Sequence, residues 1–286
     1  MRQPRIALIQ FPGSNCEAET KRAAEAAGMV CDLFRWNRDP ALLREYDGYI
    51  IGGGFSYQDR VRAGVIATKE PVVEAMFTEV VERGKPALGI CNGAQVLVEA
   101  GLVPGLRPGE VEMALAPNRP HPQGRVSGFC CRWVFVKHVA PAGKCWMTHN
   151  IPEGEVLPIP IAHGEGRFTT TVPGLLETLR RNGQIVFQYC TADGQVVDTP
   201  EVNPNGALAN IAGLCNPEGT VLAMMPHPER CSFLRQVPSE LPHEVSRRKL
   251  AAWGDPAAGM SAGPGLAVFT SMRDALLERL AEAVGA

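Results

Sequence analysis

The chain has no apolar run long enough to cross a bilayer. No stretch approaches the roughly 18 apolar residues that suggest a membrane-spanning helix. Its first residues follow the pattern of a short strand and lack the apolar core of a secretory leader. We therefore expect a protein that does not span a membrane and is not exported, and by default a cytoplasmic one.

An excess of charge of either sign is also lacking. The 286 residues include 28 Lys and Arg against 30 Asp and Glu, which gives a formal net charge of −2. This balance provides no electrostatic reason to bind nucleic acid or an anionic membrane. The chain also lacks a Gly-x-Gly-x-x-Gly after its first strand and a Gly-x-x-x-x-Gly-Lys loop. We therefore expect no nucleotide cofactor in this chain.

A pattern of disulfides or of zinc ligands is missing as well. Nine cysteines, an odd number without an export signal, favour reduced thiols. The Cys and His residues between positions 130 and 149 lack the paired spacing of zinc fingers, so no metal site is expected. Cys130 and Cys131 are adjacent, and we expect them to point to opposite faces of one strand.

What the sequence does contain is a thiol at a sharp bend. Residues 89–95 read Gly-Ile-Cys-Asn-Gly-Ala-Gln, between an apolar run and a helix-like segment. Glycines at 89 and 93 relieve crowding at such a turn, and the free N–H groups of the helix end favour a thiolate. The pattern resembles a nucleophile elbow with Cys91 as the nucleophile. A buried, inert cysteine is the ordinary alternative.

A histidine and a carboxylate follow a later apolar strand. The segment 226–230 reads Pro-His-Pro-Glu-Arg. Alternation in an extended chain places His227 and Glu229 on one side, where Glu229 can hold the imidazole in one tautomer. A cysteine nucleophile needs such a base. The sequence therefore predicts a catalytic set of Cys91, His227 and Glu229. Considered alone, His227 could equally be an ordinary surface or core histidine.

These two motifs together resemble the class I glutamine amidotransferases. Three further segments narrow the resemblance to the glutaminase component of phosphoribosylformylglycinamidine synthase. They are Phe-Pro-Gly-Ser-Asn-Cys at 11–16, Gly-Gly-Phe-Ser-Tyr-Gln-Asp at 53–59, and Ile-Ala-His-Gly-Glu-Gly-Arg-Phe at 161–168. The five motifs stand in the family's order between about residues 5 and 230, so the resemblance covers most of the chain.

The resemblance implies a role for each matching residue. Cys91 would attack the side-chain amide of glutamine and form a γ-glutamyl thioester. His227 would protonate the departing ammonia and then activate water, while Glu229 orients His227. The backbone N–H groups of Gly54 and Asn92 would stabilise the oxyanion, and a donor of this kind typically contributes about 10²–10³ in rate.

Other residues of these motifs are assigned less directly. Gln95 resembles the family's residue that helps hold the substrate glutamine, and its plain alternative is a solvated helix residue. Gln58 and Ala94 depart from the family, which usually has Gly and Phe there. We expect Gln58 to alter its turn, because glutamine resists left-handed conformations. Ala94 would leave room beside the nucleophile unless another side chain fills it. His163 and Glu165 are interpreted as structural or coupling residues, and Cys16 as structural.

The fold expected is α/β. The first 110 residues alternate strands with helices, which predicts a parallel sheet with ligands at the carboxyl ends of its strands. Strands are predicted at 5–10, 30–34, 49–51 and 86–90, and helices at 17–27 and 71–83. Further on, strands at 126–139, 185–190, 211–214 and 221–225 with few helices between them predict an antiparallel extension. The resemblance implies a flavodoxin-like, mostly parallel sheet flanked by helices.

We expect one domain over residues 1–286. Three irregular stretches, at 117–125, 193–210 and 237–265, are predicted to be surface loops or insertions that dock a partner. Within the last of them, 244–249 is a charged run that predicts a solvated helical turn. The apolar spacing of 267–284 predicts a closing amphipathic helix.

The function that the resemblance implies is hydrolysis of glutamine to glutamate and ammonia. The ammonia would pass to a large synthase subunit, often with a small bridging subunit. That partner would convert formylglycinamide ribonucleotide to formylglycinamidine ribonucleotide with ATP and Mg in de novo purine biosynthesis. Three alternatives remain at this stage: a glutaminase that serves another synthetase, a catalytically silent scaffold, and a cysteine peptidase on a similar fold.

Overall fold

The computed structural model describes residues 2–119 and 128–285. Within these ranges, no helix combines the length and the apolar character needed to span a membrane. Residues 120–125 of the predicted insertion at 117–125 lie outside the described residues. So do the first two residues of the predicted strand at 126–139.

The described helices and strands alternate along the first half of the chain. In chain order they are β1 (Arg5–Gln10), α1 (Glu17–Ala26), β2 (Val30–Arg35), β3 (Gly48–Ile51), α2 (Pro71–Arg83), β4 (Ala87–Ile90), α3 (Asn92–Glu99), β5 (Ala114–Ala116), β6 (Cys130–His138), β7 (Val156–His163), β8 (Arg167–Thr169), α4 (Leu175–Arg181), β9 (Ile185–Cys190), β10 (Ile211–Cys215), β11 (Val221–Met224), α5 (Glu244–Ala251), α6 (Pro256–Gly259) and α7 (Leu266–Gly285).

One large sheet of nine strands organises the molecule, in the order β2-β1-β3-β4-β11-β10-β9-β6-β7. The strands β2, β1, β3, β4 and β11 pair in parallel. All residues of β3, β4 and β11 are buried. A parallel sheet covered by helices on both faces produces such short, wholly apolar strands. The carboxyl ends of β4 and β11 lie side by side, since Met224 pairs with Ile90.

The other strands of the large sheet pair in antiparallel fashion. In β6 the burial alternates along the strand, as expected for a strand with only one buried face. A separate two-stranded sheet joins β5 and β8. The expected fold is therefore confirmed: an α/β protein with a parallel portion and an antiparallel extension.

The predicted elements agree best with the structure in the parallel portion. There, most differ from it by no more than one residue at each end. The predicted strand at 126–139 begins, within the described part, at Cys130. The sequence patterns did not predict β5, β7, β8 or α4. The short β5 and β8 offer too few residues for a period, and β7 carries two prolines, Pro158 and Pro160, that weaken a strand pattern.

Two of the predicted loops are more structured than expected. Residues 193–210 include Asn203, Asn205 and Asn210, whose side chains are buried and hydrogen-bonded. The stretch 237–265 contains α5 and α6, and α5 buries Val245 against Leu234 and Val237. The helical turn expected at 244–249 is therefore the start of a helix that packs on one face. Polar side chains in these stretches form hydrogen bonds within the protein. A composition typical of surface loops does not reveal such bonds.

Candidate active site

Cys91 stands at the bend between β4 and α3. Its backbone has φ 53° and ψ −106°, outside the regions that side chains normally favour. Its N–H donates to the Met224 carbonyl at 2.8 Å, which ties the bend to the end of β11. A Cβ added at Gly93 would lie 1.9 Å from the Ile51 carbonyl oxygen. Only glycine there lets α3 approach β3 closely, so the bend is a strained elbow held by its neighbours.

His227 and Glu229 follow β11 and meet as predicted. Nδ1 of His227 lies 2.5 Å from Oε1 of Glu229, and the two residues are 1% and 0% exposed. Because the carboxylate can only accept, Nδ1 carries the proton and Nε2 of the neutral ring is left as an acceptor. Nε2 is buried without a hydrogen-bond partner among the described residues. This arrangement presents a base to a neighbouring thiol.

The charge on His227 is strongly favoured. Burial alone lowers its pKa, but the charge of Glu229 and the nearby Cys91 and Cys16 sulfurs outweigh that penalty. The net pKa lies well above the usual value of histidine. The imidazole beside the Cys91 sulfur is therefore a strong base, because its charged form is stabilised there.

Strand β7 reaches this site although it lies at the far edge of the sheet. The backbone N–H of His227 donates to the Pro160 carbonyl at 2.8 Å. The thiol of Cys91 donates to the Ala162 carbonyl at 3.4 Å. Two backbone carbonyls of one strand therefore hold the two central residues, so the antiparallel strands curl back over the ends of the parallel ones.

His163, at the end of β7, is buried beside the site. Its pKa is lowered to about 3, first by burial and then by the charge of His227. Nδ1 contacts Oδ1 of Asn118 at 3.1 Å, and the same oxygen accepts the Gly166 N–H at 3.1 Å. A ring that stays neutral and is fixed from one side is compatible with the predicted structural or coupling role.

The two predicted oxyanion donors lie on separate turns. Gly54 has φ 150°, and a Cβ there would lie 2.7 Å from the Cα of Ser14. Its N–H donates to no other described residue. Asn92 is the first residue of α3, where N–H groups lack an acceptor within the helix. Both N–H groups are thus free to receive a developing negative charge.

Gln95 is nearly buried and takes part in a local network. Its Nε2 donates to the Glu165 carbonyl at 2.7 Å, and its Oε1 accepts from Nδ2 of Asn92 at 2.9 Å. Oδ1 of Asn92 accepts the Ser56 N–H at 3.1 Å. The side chain of Glu165 accepts the Ala63 N–H at 3.2 Å. The alternative of a solvated Gln95 is therefore wrong, and these contacts link the elbow to the loops above it.

The two departures from the family pattern are both accommodated. Gln58 has φ 61° within a left-handed run from Tyr57 to Asp59, so the turn keeps the conformation that glycine would favour. Oε1 of Gln58 accepts from Nη2 of Arg60 at 3.0 Å. Ala94 is fully buried. Solvent therefore does not reach the side chain at this position.

Asp59 lies at the edge of this network. Its Oδ1 accepts from Nδ2 of Asn92 at 3.3 Å. Burial, and then the charge of Glu165, raise the pKa of Asp59 to about 6. Two carboxylates therefore face the loops near the elbow, and one of them is partly protonated just below neutral pH.

Two contacts of this site were missed from the sequence. Arg230 donates from Nη2 to Sγ of Cys16 at 3.0 Å. Cys16, His227 and Glu229 are the described residues whose ligand-type atoms come together closely enough to suggest a metal site, all within 4.8 Å of one another. Both Cys16 and Arg230 belong to sequence motifs, and this was the only indication that they might be important. Because they are far apart in the chain, the sequence did not predict their contact.

Comparisons with known proteins place this chain in a family. The family description "CobB/CobQ-like glutamine amidotransferase domain" matches residues 3–273. The phosphoribosylformylglycinamidine synthase subunit PurQ of Methanothrix thermoacetophila is 46% identical, over 96% of this chain and 99% of its own length. The same subunit of Pyrococcus furiosus is 42% identical, over 80% of this chain and 89% of its own length.

A solved structure of the same kind of protein has a similar fold. The PurLQS structure of Thermotoga maritima includes a chain that is 28% identical and superposes with a TM-score of 0.68. The match covers 98% of this chain and 100% of the other. The likeness therefore extends across the whole arrangement of strands.

Proposed function

Because this chain belongs to the glutamine amidotransferase family and is, like its PurQ relatives, a glutaminase of phosphoribosylformylglycinamidine synthase, we propose that Cys91, His227 and Glu229 carry its chemistry. The reaction splits L-glutamine into glutamate and ammonia. The ammonia serves the conversion of formylglycinamide ribonucleotide to formylglycinamidine ribonucleotide in purine biosynthesis.

One observation supports this assignment above all. The strained elbow at Cys91 and the bonded pair His227–Glu229 follow β4 and β11, which are adjacent parallel strands. Ligands bind at the carboxyl ends of the strands in such sheets. A nucleophile, a base and an orienting carboxylate thus converge at the place where the fold presents a substrate.

The residues act in a balanced sequence. Nε2 of His227 takes the thiol proton of Cys91, and the thiolate attacks the amide carbon of glutamine. The resulting tetrahedral oxyanion collapses, the C–N bond breaks, and His227 returns the proton to the departing ammonia. A water molecule then gives a proton to His227 and attacks the thioester, which releases glutamate and restores the thiol. The raised pKa of His227 favours the imidazolium that the first proton transfer creates.

The N–H groups of Gly54 and Asn92 stabilise the oxyanion at both tetrahedral stages. They are fixed by the turns that carry them, so they need no rearrangement as charge develops. Gln95 helps to hold the substrate through its place in the network above the elbow. Its remaining amide hydrogen is the group available for glutamine, since Glu165 and Asn92 take its other contacts.

The ammonia passes to partner subunits. Ammonia is mostly protonated at neutral pH and is then not nucleophilic, so a sealed path to the acceptor preserves its reactivity. The partners are a large synthase subunit, which holds ATP and Mg, and a small bridging subunit. The similar Thermotoga maritima structure is of PurLQS, and its name supports an assembly with more than one kind of subunit. We place the complex in the cytoplasm, and no metal or cofactor is assigned to this chain.

Cys91→Ala tests the division of labour. We expect it to lower glutamine-dependent synthesis by at least about 10³-fold, because the nucleophile is lost. Synthesis from added ammonium should continue in the same complex, since Cys91 only releases ammonia. Loss of both activities in an intact complex would contradict the proposal.

A glutamine-mimicking electrophile tests the pocket directly. Mass mapping should find the label on Cys91, and excess glutamine should protect it. Labelling without protection would favour a peptidase, and no labelling in the assembled complex would favour a silent scaffold. Copurification of an unrelated synthetase would redirect the assignment to another glutaminase.

A further inference from the structure

Cys16 and Arg230 form a contact that the mechanism above does not use. Nη2 of Arg230 donates to Sγ of Cys16 at 3.0 Å. Cys16 is fully buried, just before α1, and its N–H donates to the Gly53 carbonyl at 3.2 Å. Arg230 also lies near two carboxylates, with Nε 3.7 Å from Glu229 and 3.8 Å from Glu19. The guanidinium therefore joins the start of α1 to the segment that carries His227.

The Cys16 sulfur borders the imidazole of His227. A Cβ added at Gly53 would lie 3.0 Å from Sγ of Cys16 and 2.7 Å from Cε1 of His227. The glycine thus leaves a gap that the sulfur and the ring edge share. Sγ also lies within 4.8 Å of the ligand-type atoms of His227 and Glu229. The Cys16 sulfur is among the neighbours that raise the pKa of His227.

The cluster of sulfur, imidazole and carboxylate also has the composition of a metal site. Arg230 argues against that interpretation, because its guanidinium bonds to Cys16 and lies near Glu229. A cation bound there would be repelled by a charge that already neutralises the same groups. The protein supplies its own cation, so a positioning role fits the contacts better.

We propose that Cys16 and Arg230 position His227: the Cys16 sulfur lies against the Cε1 edge of the imidazole and favours its charged form, and Arg230 fixes that sulfur. The proposal rests on the role of His227 in the proposed function. Cys16 touches neither the substrate nor the reacting atoms, and it acts through the ring. The ring is then held by Glu229 and by Cys16, which limits its tilt as it moves protons to and from Cys91.

The charges around His227 set the direction of the expected effect. Glu229 follows it in the chain, Cys91 faces it from the start of α3, and Cys16 from the loop before α1. His163 faces it from the end of β7, and Arg230 and Glu19 lie behind Cys16. Removing the sulfur takes away a neighbour that favours the imidazolium, so the pKa of His227 should fall.

The test compares Cys16→Ala with Cys16→Ser in the complex of the full chain with its synthase subunits. The rate constant kcat for glutamine hydrolysis is measured across the pH range in which histidine and thiols titrate. Cys16→Ala should lower kcat by roughly 10- to 100-fold and move the alkaline limb to lower pH. Cys16→Ser should regain part of both, because a hydroxyl oxygen can also accept from Arg230 and present lone pairs to the ring edge.

Cys231→Ala is the matched control. Cys231 is another fully buried thiol on the same segment, but its Sγ contacts the carbonyls of His227 and Pro228, at 3.7 and 3.6 Å. The same volume is removed without touching the ring, so the pH profile should stay that of the parent. Equal losses in Cys16→Ala and Cys16→Ser without a shifted limb would assign Cys16 a packing role and overturn the proposal.

A second measurement separates this inference from the function itself. Titration of the His227 imidazole by nitrogen NMR reports its protonation whether or not glutamine is turned over. A lower pKa in Cys16→Ala than in the parent supports the positioning role, and an unchanged pKa contradicts it. Absence of turnover by the parent complex would instead count against the proposed function.

Discussion

The parallel and antiparallel portions of the sheet contribute to the site in different ways. The parallel strands β4 and β11 carry the side chains Cys91, His227 and Glu229 at their ends. The antiparallel β7 contributes backbone carbonyls, from Pro160 and Ala162, that hold two of those residues. One portion supplies reactive groups and the other supplies their surroundings.

This difference has consequences for what each portion tolerates. Reactive groups need accurate placement, and small shifts there lower the rate strongly while leaving most packing intact. The covering strands and loops are held by buried amides such as Asn118, Asn203 and Asn205. Breaking these bonds leaves buried polar atoms unpaired, which lowers stability. We therefore expect rate and stability effects to separate along the sheet.

Apart from loss of the nucleophile itself, the largest effect is expected from Gly53→Ala, on the parallel side. The new Cβ would lie 2.7 Å from Cε1 of His227, so the ring must move. We expect kcat for glutamine hydrolysis to fall by about 10²–10³-fold, because the base loses its alignment. Steady-state kinetics of the complex measure it, together with thermal unfolding.

Gly52→Ala is the neighbouring control. A Cβ at Gly52 would meet Oγ1 of Thr20 at 3.4 Å, an ordinary contact. Its kinetics should stay close to those of the parent. An equal loss in both variants would show that this loop tolerates no side chain at all, and the specific clash with His227 would be refuted.

A smaller effect, on stability, is expected from Asn118→Ala in the covering region. Asn118 donates to the carbonyls of His163 and Gly128, at 2.9 and 3.2 Å, and accepts the Gly166 N–H. Its removal should lower the free energy of unfolding by about 2 kcal/mol, because buried partners are left unpaired. Denaturant unfolding measures the change.

Asn150→Ala provides the comparison for an exposed amide. Its Nδ2 bonds to Asp274 at the surface, so the free energy of unfolding should change by less than about 0.5 kcal/mol. If Asn118→Ala proved as mild, the separation between the two portions of the sheet would not hold.

The smallest effect is expected from Asp59→Asn, at the junction of the two regions. The pKa of Asp59 is raised to about 6 by burial and by Glu165, so folding favours the protonated form. That stability is present at low pH and is lost as the pH rises through about 6. Asparagine resembles the protonated form, so the variant should be more stable at neutral pH, by less than about 1 kcal/mol because solvent screens the site.

Thermal unfolding as a function of pH measures this prediction. The stabilisation should disappear in acid, where the parent residue is itself protonated. A gain that persists unchanged in acid would mean that charge is not its source.

Much of the parallel portion could be predicted from the sequence. Strands β1, β3, β4 and β11 are short apolar runs bounded by turns. A run of this kind can be identified as a buried strand from its own residues. The covering region was harder. Pro158 and Pro160 weaken the strand pattern of β7, and the buried asparagines of 198–210 have the composition of a surface loop. Their contacts depend on partners far away in the chain.

By itself, the sequence determined the parallel sheet of an α/β fold, the elbow at Cys91 and the pairing of His227 with Glu229. These features follow from local apolar runs, glycine spacing and strand alternation, which neighbouring residues encode. Only the tertiary structure decided that Ala162 bonds to the nucleophile and that Arg230 meets Cys16 beside His227. Those contacts join segments distant in the chain, and their geometry arises from how the sheet curls, which no local pattern records.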